Sequence, residues 1–334
     1  VLRLNRFEYL APASVDEAIA LLREHGSDAA LIAGGTDLLV NIKQRVVTPL
    51  YVISIRGLAE LQHCGSRPDG GLDIGAGVTL SHLERDPVVL SRYPALVHAA
   101  HAVSAPPVRT LATIGGNVCL DVRCNYYNQS YEWRRGIGFC MKKDSPICRV
   151  APGGDRCWAA ASADTVPVLI ALRAEVSVVC ERGMRRIPLQ DLYADDGLDP
   201  HRLEPGEIVT EIHLPPPGGW TTVYRKFRIR QSFDFPLAAV ACSIRHSQDG
   251  TVDGARVVLT GVSTAPERAT AVEAHLTGHP LDVHAIDTAG TAIYRLAKPM
   301  DNTAGTVFHR KRMARVLTER ALRDIAQSLA TVTN

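Results

Sequence analysis

Four cysteines, Cys124, Cys140, Cys148 and Cys157, fall within one polar stretch, CNYYNQSYEWRRGIGFCMKKDSPICRVAPGGDRC. The stretch has no sustained helical or alternating apolar pattern, yet it lies between two segments that read as well folded. Loops without secondary structure longer than about 12–15 residues are uncommon in compact domains unless they are functional or disordered. Four thiols in such a loop point to a bound metal centre that takes the place of the missing apolar core. The spacing C-x15-C-x7-C-x8-C is unlike the closely paired cysteines of zinc fingers and ribbons, whereas iron–sulfur clusters take four thiolates at varied spacing. On this chemistry a [4Fe–4S] cluster leads, zinc is second, and unliganded thiols stay open as a third reading. Cys119, in the strand-like VCLDV, is a rival ligand. Cys64, Cys180 and Cys242 are scattered, and the latter two lie in apolar strands, where a buried free cysteine is ordinary.

Two glycine turns offer a different chemistry. In AGGTDLLV, Ala33–Val40, adjacent glycines follow an apolar strand. The backbone there can approach a ligand closely and successive N–H groups can point at a diphosphate, with Thr36 as a further donor. TIGGN, Thr113–Asn117, repeats that chemistry just before the cysteine stretch. Each has a plainer reading as a tight strand exit, but the pair suggests that both face one phosphate-bearing cofactor. A nicotinamide site fits poorly: after Gly75 and Gly77, Leu80 stands where a third glycine is required, and no acidic ribose anchor follows at the expected distance. A GxxxxGK[ST] loop is absent. In YRKFRIRQSFDFP, Tyr224–Pro236, alternation puts Tyr224, Lys226, Arg228 and Arg230 on one strand face. That face suits a phosphate or a reduced flavin, or is simply solvated. Asp164 could hydrogen-bond a ribityl hydroxyl or N-cap the helix after it. The twelve histidines form no HExxH spacing, and no GxSxG, Ser–His–Asp order or paired catalytic carboxylates stand out. Such a chain reads as an electron-carrying module whose cofactors supply the chemistry.

The elements that would hold these residues follow from patterning. Ser14 and Glu17 form a capping box ahead of a helix closed by Gly26. Strands are expected at Ala29–Ala33, Tyr51–Ile55, Leu72–Ile74 and Val176–Cys180, and helices at Leu80–Arg85, Pro94–Val103 and Asp164–Arg173. PPPGGW, Pro215–Trp220, is the expected linker. Beyond it come strands near Val223–Ile229, Ala238–Arg245 and Ala255–Val262 and a helix near Glu267–Leu276. An amphipathic C-terminal helix follows, with Met313, Val316, Leu317, Ala321 and Ile325 on one face. The 334 residues are 46% hydrophobic and 22% charged, with a net charge of +2. That balance fits a globular α+β protein in two parts and argues against a nucleic-acid binder. No apolar run approaches the roughly 20 residues needed to cross a bilayer, and the first residues lack the features of a signal peptide. A cytoplasmic location is therefore expected, where clustered cysteines bind metal more often than they form disulfides.

Further motifs run in order through nearly the whole chain: FEYLAPASVDEAIALL, AGGTDLL, GAGVTLSHLE, TIGGNV, SADTVPVLIALRAEV, GEIVTEIHLP, YRKFRIRQSFDFPLAAVA and GVSTAPERATAVEAHLTG. On these the sequence resembles the FAD-binding subunit of the molybdenum hydroxylase (xanthine dehydrogenase) family. The resemblance implies an α+β fold: a two-subdomain, PCMH-type FAD-binding domain over 1–218, with an insertion at about 119–160, and a smaller α+β domain of the CO dehydrogenase flavoprotein type over 219–334. It implies FAD contacts from Ile32, Ala33, Gly34, Gly35, Thr36, Asp37 and Leu38, and from Thr113, Gly115, Gly116 and Asn117, on the diphosphate and adenosine side. Asp164 would supply an acidic contact, and Ile208 and Lys226 would lie beside the flavin ring.

One departure from the family pattern is large. Asn117 and Asp164 are 47 positions apart, a stretch that is short in simpler members, and all four clustered cysteines lie in the added length. Such an insertion resembles that of the 4-hydroxybenzoyl-CoA reductase branch, which carries an additional [4Fe–4S] cluster; by that resemblance Cys124, Cys140, Cys148 and Cys157 are its ligands. The branch also implies a large molybdopterin subunit and a small [2Fe–2S] subunit in an (αβγ)2 assembly. Reduced ferredoxin would supply electrons for removing the phenolic hydroxyl of 4-hydroxybenzoyl-CoA. Arg134, Arg135, Lys142, Lys143, Arg149 and Arg156 outnumber Glu132, Asp144 and Asp155 in the insertion. This suggests docking of an acidic ferredoxin, or an offset to an anionic cluster. The alternatives are a CO, nicotinate or xanthine-type dehydrogenase subunit, or a flavin subunit braced by zinc.

Overall fold

The computed structural model describes residues 3–332, with side chains through Ser328. Helix Val15–His25 starts as its capping residues dictate: Ser14 Oγ accepts from Glu17 N at 3.1 Å, and the Glu17 carboxylate accepts from Ala13 N at 2.7 Å. Its apolar face, Val15, Ala18 and Ile19, packs on a small parallel sheet. That sheet comprises β1 (Glu8–Leu10), β2 (Ala29–Ile32) and β3 (Tyr51–Ser54), in the order β1-β3-β2. The turn that leaves β2 is therefore delivered to the edge of this first subdomain.

A second subdomain is built on an antiparallel sheet of β4 (Cys64–Ser66), β5 (Leu72–Gly75), β6 (Glu175–Cys180), β7 (Gly183–Pro188) and β8 (Ile208–Leu214), ordered β4-β5-β8-β6-β7. Its core takes in the helices Leu80–Leu83, Pro94–Ala102 and Thr165–Ala171. Every residue of Thr165–Ala171 is buried, the setting that a helix apolar on all sides requires.

Pro215–Gly219 separates β8 from a third sheet of β9 (Trp220–Phe227), β10 (Ala238–His246), β11 (Val252–Thr260) and β12 (Glu267–Arg268), ordered β12-β11-β10-β9. Strand β10 is buried from Ala238 to Ile244. Ala239 and Ala241 join the core of the second subdomain, while Ala238, Val240, Cys242 and Ile244 pack with the helices Val283–Leu296 and Val307–Val332. A strand covered on both sides reads as an unbroken apolar run. On the last helix Ala314, Leu317, Ala321, Leu322 and Ile325 are buried, and Met313 is partly so. Each buried leucine there contributes about 1.5–3 kcal/mol.

Several details differ from the sequence reading. TIGGN is not a free turn but the start of a short helix, Ile114–Val118, because Thr113 Oγ1 accepts from Gly116 N at 3.0 Å and caps it. VCLDV forms no strand: Cys119 follows that helix, and the chain is irregular up to Arg123. The segment expected to be helical from Glu267 opens as β12, which pairs with β11, and turns helical only at Thr270. The cysteine stretch contains one short helix, Tyr131–Gly136, capped by Ser130. Its ends are closed by mutual N–H···O bonds between Arg123 and Ala160, each 2.8 Å. Among the described residues no helix is long and apolar enough to cross a membrane.

Candidate functional site

The two glycine turns meet, and close backbone contact explains their composition. A Cβ on Gly34 would lie 1.9 Å from the Leu111 carbonyl oxygen, so only glycine lets the turn after β2 press against the segment entering Thr113. Gly35 takes a φ of +70°, a conformation open to glycine at little cost. Gly115 is also packed closely, on Ala76: its N–H donates to Ala76 O at 2.9 Å, and a Cβ would come within 2.6 Å of the Ala76 methyl. The Gly75–Gly77 segment, unsuited to a nicotinamide, thus forms a third wall. Gly116 is exposed, and a Cβ there would meet only Thr113 Oγ1 within 4 Å. Residues 32–38 are all half-buried. Accessible backbone free of side chains is the cradle that a diphosphate needs.

Other expected contacts are already engaged within the chain. Asn117 Oδ1 accepts from Thr165 N at 3.2 Å and Thr165 Oγ1 at 2.6 Å, tying TIGGN to the helix after Asp164. Asp164 makes no cap bond. It is buried and accepts from Tyr224 Oη at 2.7 Å and Lys226 Nζ at 2.9 Å. Lys226 and Arg228 each also donate to Ala102 O at 2.9 Å. Burial raises the Asp164 carboxyl above its ordinary range and lowers the Lys226 ammonium, and their attraction opposes both shifts. The Tyr224–Lys226 face is therefore no solvated strand face; it brings a buried cation from the third sheet to the second subdomain. Arg230 leaves that face for an exposed pair with Asp234 at 2.8 Å. Ile208 belongs to the apolar cluster of Val15, Ile53 and Leu61 and is 2% exposed, which leaves a ligand almost none of its surface.

The insertion brings all four cysteines together. Cys124, Cys140, Cys148 and Cys157 are each under a tenth exposed and line one cavity with Tyr126, Tyr127, Met141 and Lys142. The space open between them is small, about 10 Å³, room for little more than one water. Among the described residues no three of these sulfurs lie within 4.8 Å of one another. Four thiolates on one zinc, at about 2.3 Å each, would stand about 3.8 Å apart. Burial pushes the Cys124 thiol up to about 12 and that of Cys157 to about 11, and raises Cys140 as well. A bound cationic centre is what would draw off such protons. Cys119 is also pushed up to about 12 by burial, but it does not line the cavity.

The cations of the insertion are turned inward. Arg134 is fully buried and donates to the carbonyls of Gln129 and Gln44, both at 3.2 Å, and of Arg45 at 2.7 Å. Lys142 pairs with Asp121 at 3.0 Å and donates to Gly197 O at 2.5 Å. Arg149 holds the carbonyls of Phe139 and Gly138, Arg156 pairs with Asp195, and Lys143 lies 3.7 Å from Asp144. Among the described residues the side chain of Arg135, alone of the six, makes no hydrogen bond or ion pair, although its guanidinium approaches the Tyr131 ring. The expected basic docking face is thus only partly available: Lys142, Lys143 and Arg156 are paired with carboxylates, and Arg134 is buried.

Arg123 escaped the sequence reading. It is buried, pairs with Asp37 of the first glycine turn, and stacks 4.5 Å from the centre of the Phe235 ring. Its Nε has no hydrogen-bond partner among the described residues, a rare state for a buried donor. Arg123 precedes Cys124 in the chain and so joins the glycine turn to the thiol cavity. Val46, eight residues beyond Leu38, packs with Cys124, Cys140 and Cys157 on the same side. The signal was present in sequence only as a cation beside a cysteine.

Residues 5–217 match the FAD binding domain in molybdopterin dehydrogenase, and residues 222–325 match the CO dehydrogenase flavoprotein C-terminal domain. The chain belongs to the FAD-binding subunits of the molybdenum hydroxylase family. Within that family it is similar to the carbon monoxide dehydrogenase medium chain of Hydrogenophaga pseudoflava, with 31% identity over 322 residues, covering 95% of this chain and 96% of the relative. It is also similar to the aldehyde oxidoreductase FAD-binding subunit PaoB of Escherichia coli, with 32% identity, covering 90% and 94%. A solved structure of carbon monoxide dehydrogenase from Hydrogenophaga pseudoflava gives a TM-score of 0.79 at 29% identity, covering 96% of this chain and 97% of that one.

Proposed function

We propose that the chain is the flavin and iron–sulfur subunit of a molybdenum enzyme, holding one FAD and one [4Fe–4S] cluster. The observation that carries the reading is the convergence of four buried thiols on one cavity in a segment docked beside the first glycine turn. The spacing C-x15-C-x7-C-x8-C, unlike the close cysteine pairs of zinc sites, favours a polynuclear cluster over a single zinc. FAD would lie against Ile32–Leu38 and Thr113–Asn117, with Asp164 and Lys226 on the flavin side; Cys124, Cys140, Cys148 and Cys157 would ligate the cluster. When bound, the two groups supply one-electron and two-electron exchange between a soluble donor and chemistry on another subunit. Within this chain the glycine backbones admit the diphosphate, the Asp164–Lys226 pair keeps a cation beside the second subdomain, and Arg134 and Lys142 hold positive charge around the thiol cavity. Large molybdopterin and small [2Fe–2S] subunits in an (αβγ)2 assembly would complete the enzyme.

The finer assignment is to a ferredoxin-linked 4-hydroxybenzoyl-CoA reductase, cytoplasmic and acting in the reductive direction. The cysteine insertion supports it, because a reductive enzyme needs an entry point for low-potential electrons. A second reading is an oxidative dehydrogenase carrying an additional cluster, favoured by relatives whose names are those of CO and aldehyde enzymes. The assembled complex, given reduced ferredoxin and 4-hydroxybenzoyl-CoA, should form benzoyl-CoA. Absence of that product, with turnover of CO or an aldehyde instead, would select the oxidative reading.

A further inference from the structure

A cleft of about 380 Å³ opens where the second subdomain meets the third sheet, within the roughly 300–1,000 Å³ of ordinary ligand pockets. None of its lining residues belongs to the glycine turns or the thiol cavity. Five arginines line it, against a single carboxylate, Glu175. Three are already neutralised: Arg67 by Asp73 at 2.6 Å and Asp69 at 3.2 Å, Arg186 by Glu175 at 2.7 Å, and Arg268 by Glu273. Arg173 and Arg256 have no carboxylate within ion-pair distance among the described residues. Burial, reinforced by the nearby charges of Arg268 and Arg173, lowers the Arg256 pKa. Like charges brought together on a concave wall are stabilised by an anion placed between them.

The backbone at Arg173 carries a second observation. This residue ends the helix Thr165–Ala171 in a left-handed conformation, φ +62°, with Arg173 N bonded to Ile170 O at 3.0 Å and Ala174 N to Leu169 O at 2.8 Å. These are the two bonds of a Schellman motif, whose left-handed position glycine fills at least cost. An arginine there bears backbone strain that a glycine would relieve, and its side chain lines the cleft.

We propose that this cleft binds the phosphate or diphosphate group of a small soluble anion, with Arg173 and Arg256 as its principal contacts. The proposal does not depend on what the cysteine cavity holds. The test is isothermal titration of the assembled, FAD-containing complex with inorganic pyrophosphate and with ADP, at constant ionic strength. Saturable binding of one pyrophosphate per copy of this chain is expected, at least tenfold weaker in Arg256→Gln and in Arg173→Gly. The glycine variant is the cleaner one, because it removes the cation while easing the helix end, so lost binding cannot be ascribed to lost folding. Equal affinity for ADP and pyrophosphate would mean that the phosphates alone are read; tighter binding of ADP would mark a nucleotide-type ligand. No saturable binding, or binding unchanged in both variants, would overturn the proposal. Binding seen only after the partner subunits are removed would also overturn it, in favour of a subunit contact.

Discussion

The glycine cradle and the cysteine cavity lie side by side but are built on opposite principles. The cradle is made of backbone held by regular elements: a strand exit, a capped helix start and a connecting turn, where the absence of side chains is the functional feature. The cavity is made of side chains on irregular backbone, with thiols, tyrosines, a methionine and a lysine on its wall, and the buried Arg134 ties the surrounding backbone together. Regular elements can shape a site before any cofactor arrives. An insertion with one short helix and few apolar residues depends far more on its ion pairs and on what its thiols hold. FAD content and metal content should therefore respond independently to local change.

The largest separation is expected from Gly34→Ala. Its methyl would fall on the Leu111 carbonyl, and overpacking against backbone costs about 1–3 kcal/mol or more. FAD should be lost or bound at least tenfold more weakly, while the iron proposed for the insertion stays; equal loss of both would mean that the two sites are one cooperative unit. Gly153→Ala, with nothing within 4 Å of the new methyl, is the matching neutral change. Next comes Arg134→Met, which strips three carbonyls of a buried charged donor. A loss of about 3 kcal/mol should appear as early proteolysis within the insertion, with flavin absorbance unchanged.

Arg123→Leu probes the join. Arg123 is buried but its partner Asp37 is a third exposed, so the stability cost should lie between those of exposed and buried pairs, about 1–3 kcal/mol. Flavin and the proposed iron centre should both be retained, but rapid-mixing kinetics should show slower equilibration of electrons between them. An unchanged rate would make Arg123 a packing residue alone. The smallest effect is expected from Arg135→Glu, which alters the one cation of the insertion whose side chain makes no ion pair or hydrogen bond among the described residues. The rate with an acidic electron donor should fall less than about threefold at low salt. A larger drop would restore the basic docking face inferred from composition.

Much of this was legible in sequence, unevenly. The capping box of Val15–His25, the buried run of β10 and the Pro215–Gly219 break are local signals, and each element appears within a few residues of its expected place. The strand β7, GMRRIP, was not legible: it is a polar edge strand whose place comes from pairing with β6. Helix Val283–Leu296 was also missed, although Asp282 caps it through Ala285 N at 2.8 Å. At the site, glycines and cysteines announce themselves because few alternatives serve their roles. Arg123, Arg134 and Lys142 did not, because a cation reads as surface until the fold shows which carbonyls and carboxylates surround it. The Asp164–Tyr224–Lys226 cluster joins residues some sixty positions apart, beyond any local pattern.

The most direct test of the thiol cavity is a count of iron, acid-labile sulfide, zinc and flavin per chain in the anaerobically purified complex, for wild type and Cys140→Ser. If the cavity holds a [4Fe–4S] cluster, the variant loses about four iron and four sulfide and keeps its FAD. Unchanged iron and sulfide, with zinc bound in the wild-type insertion and lost from the variant, would contradict the account and reduce the insertion to a structural brace on a plain flavin subunit.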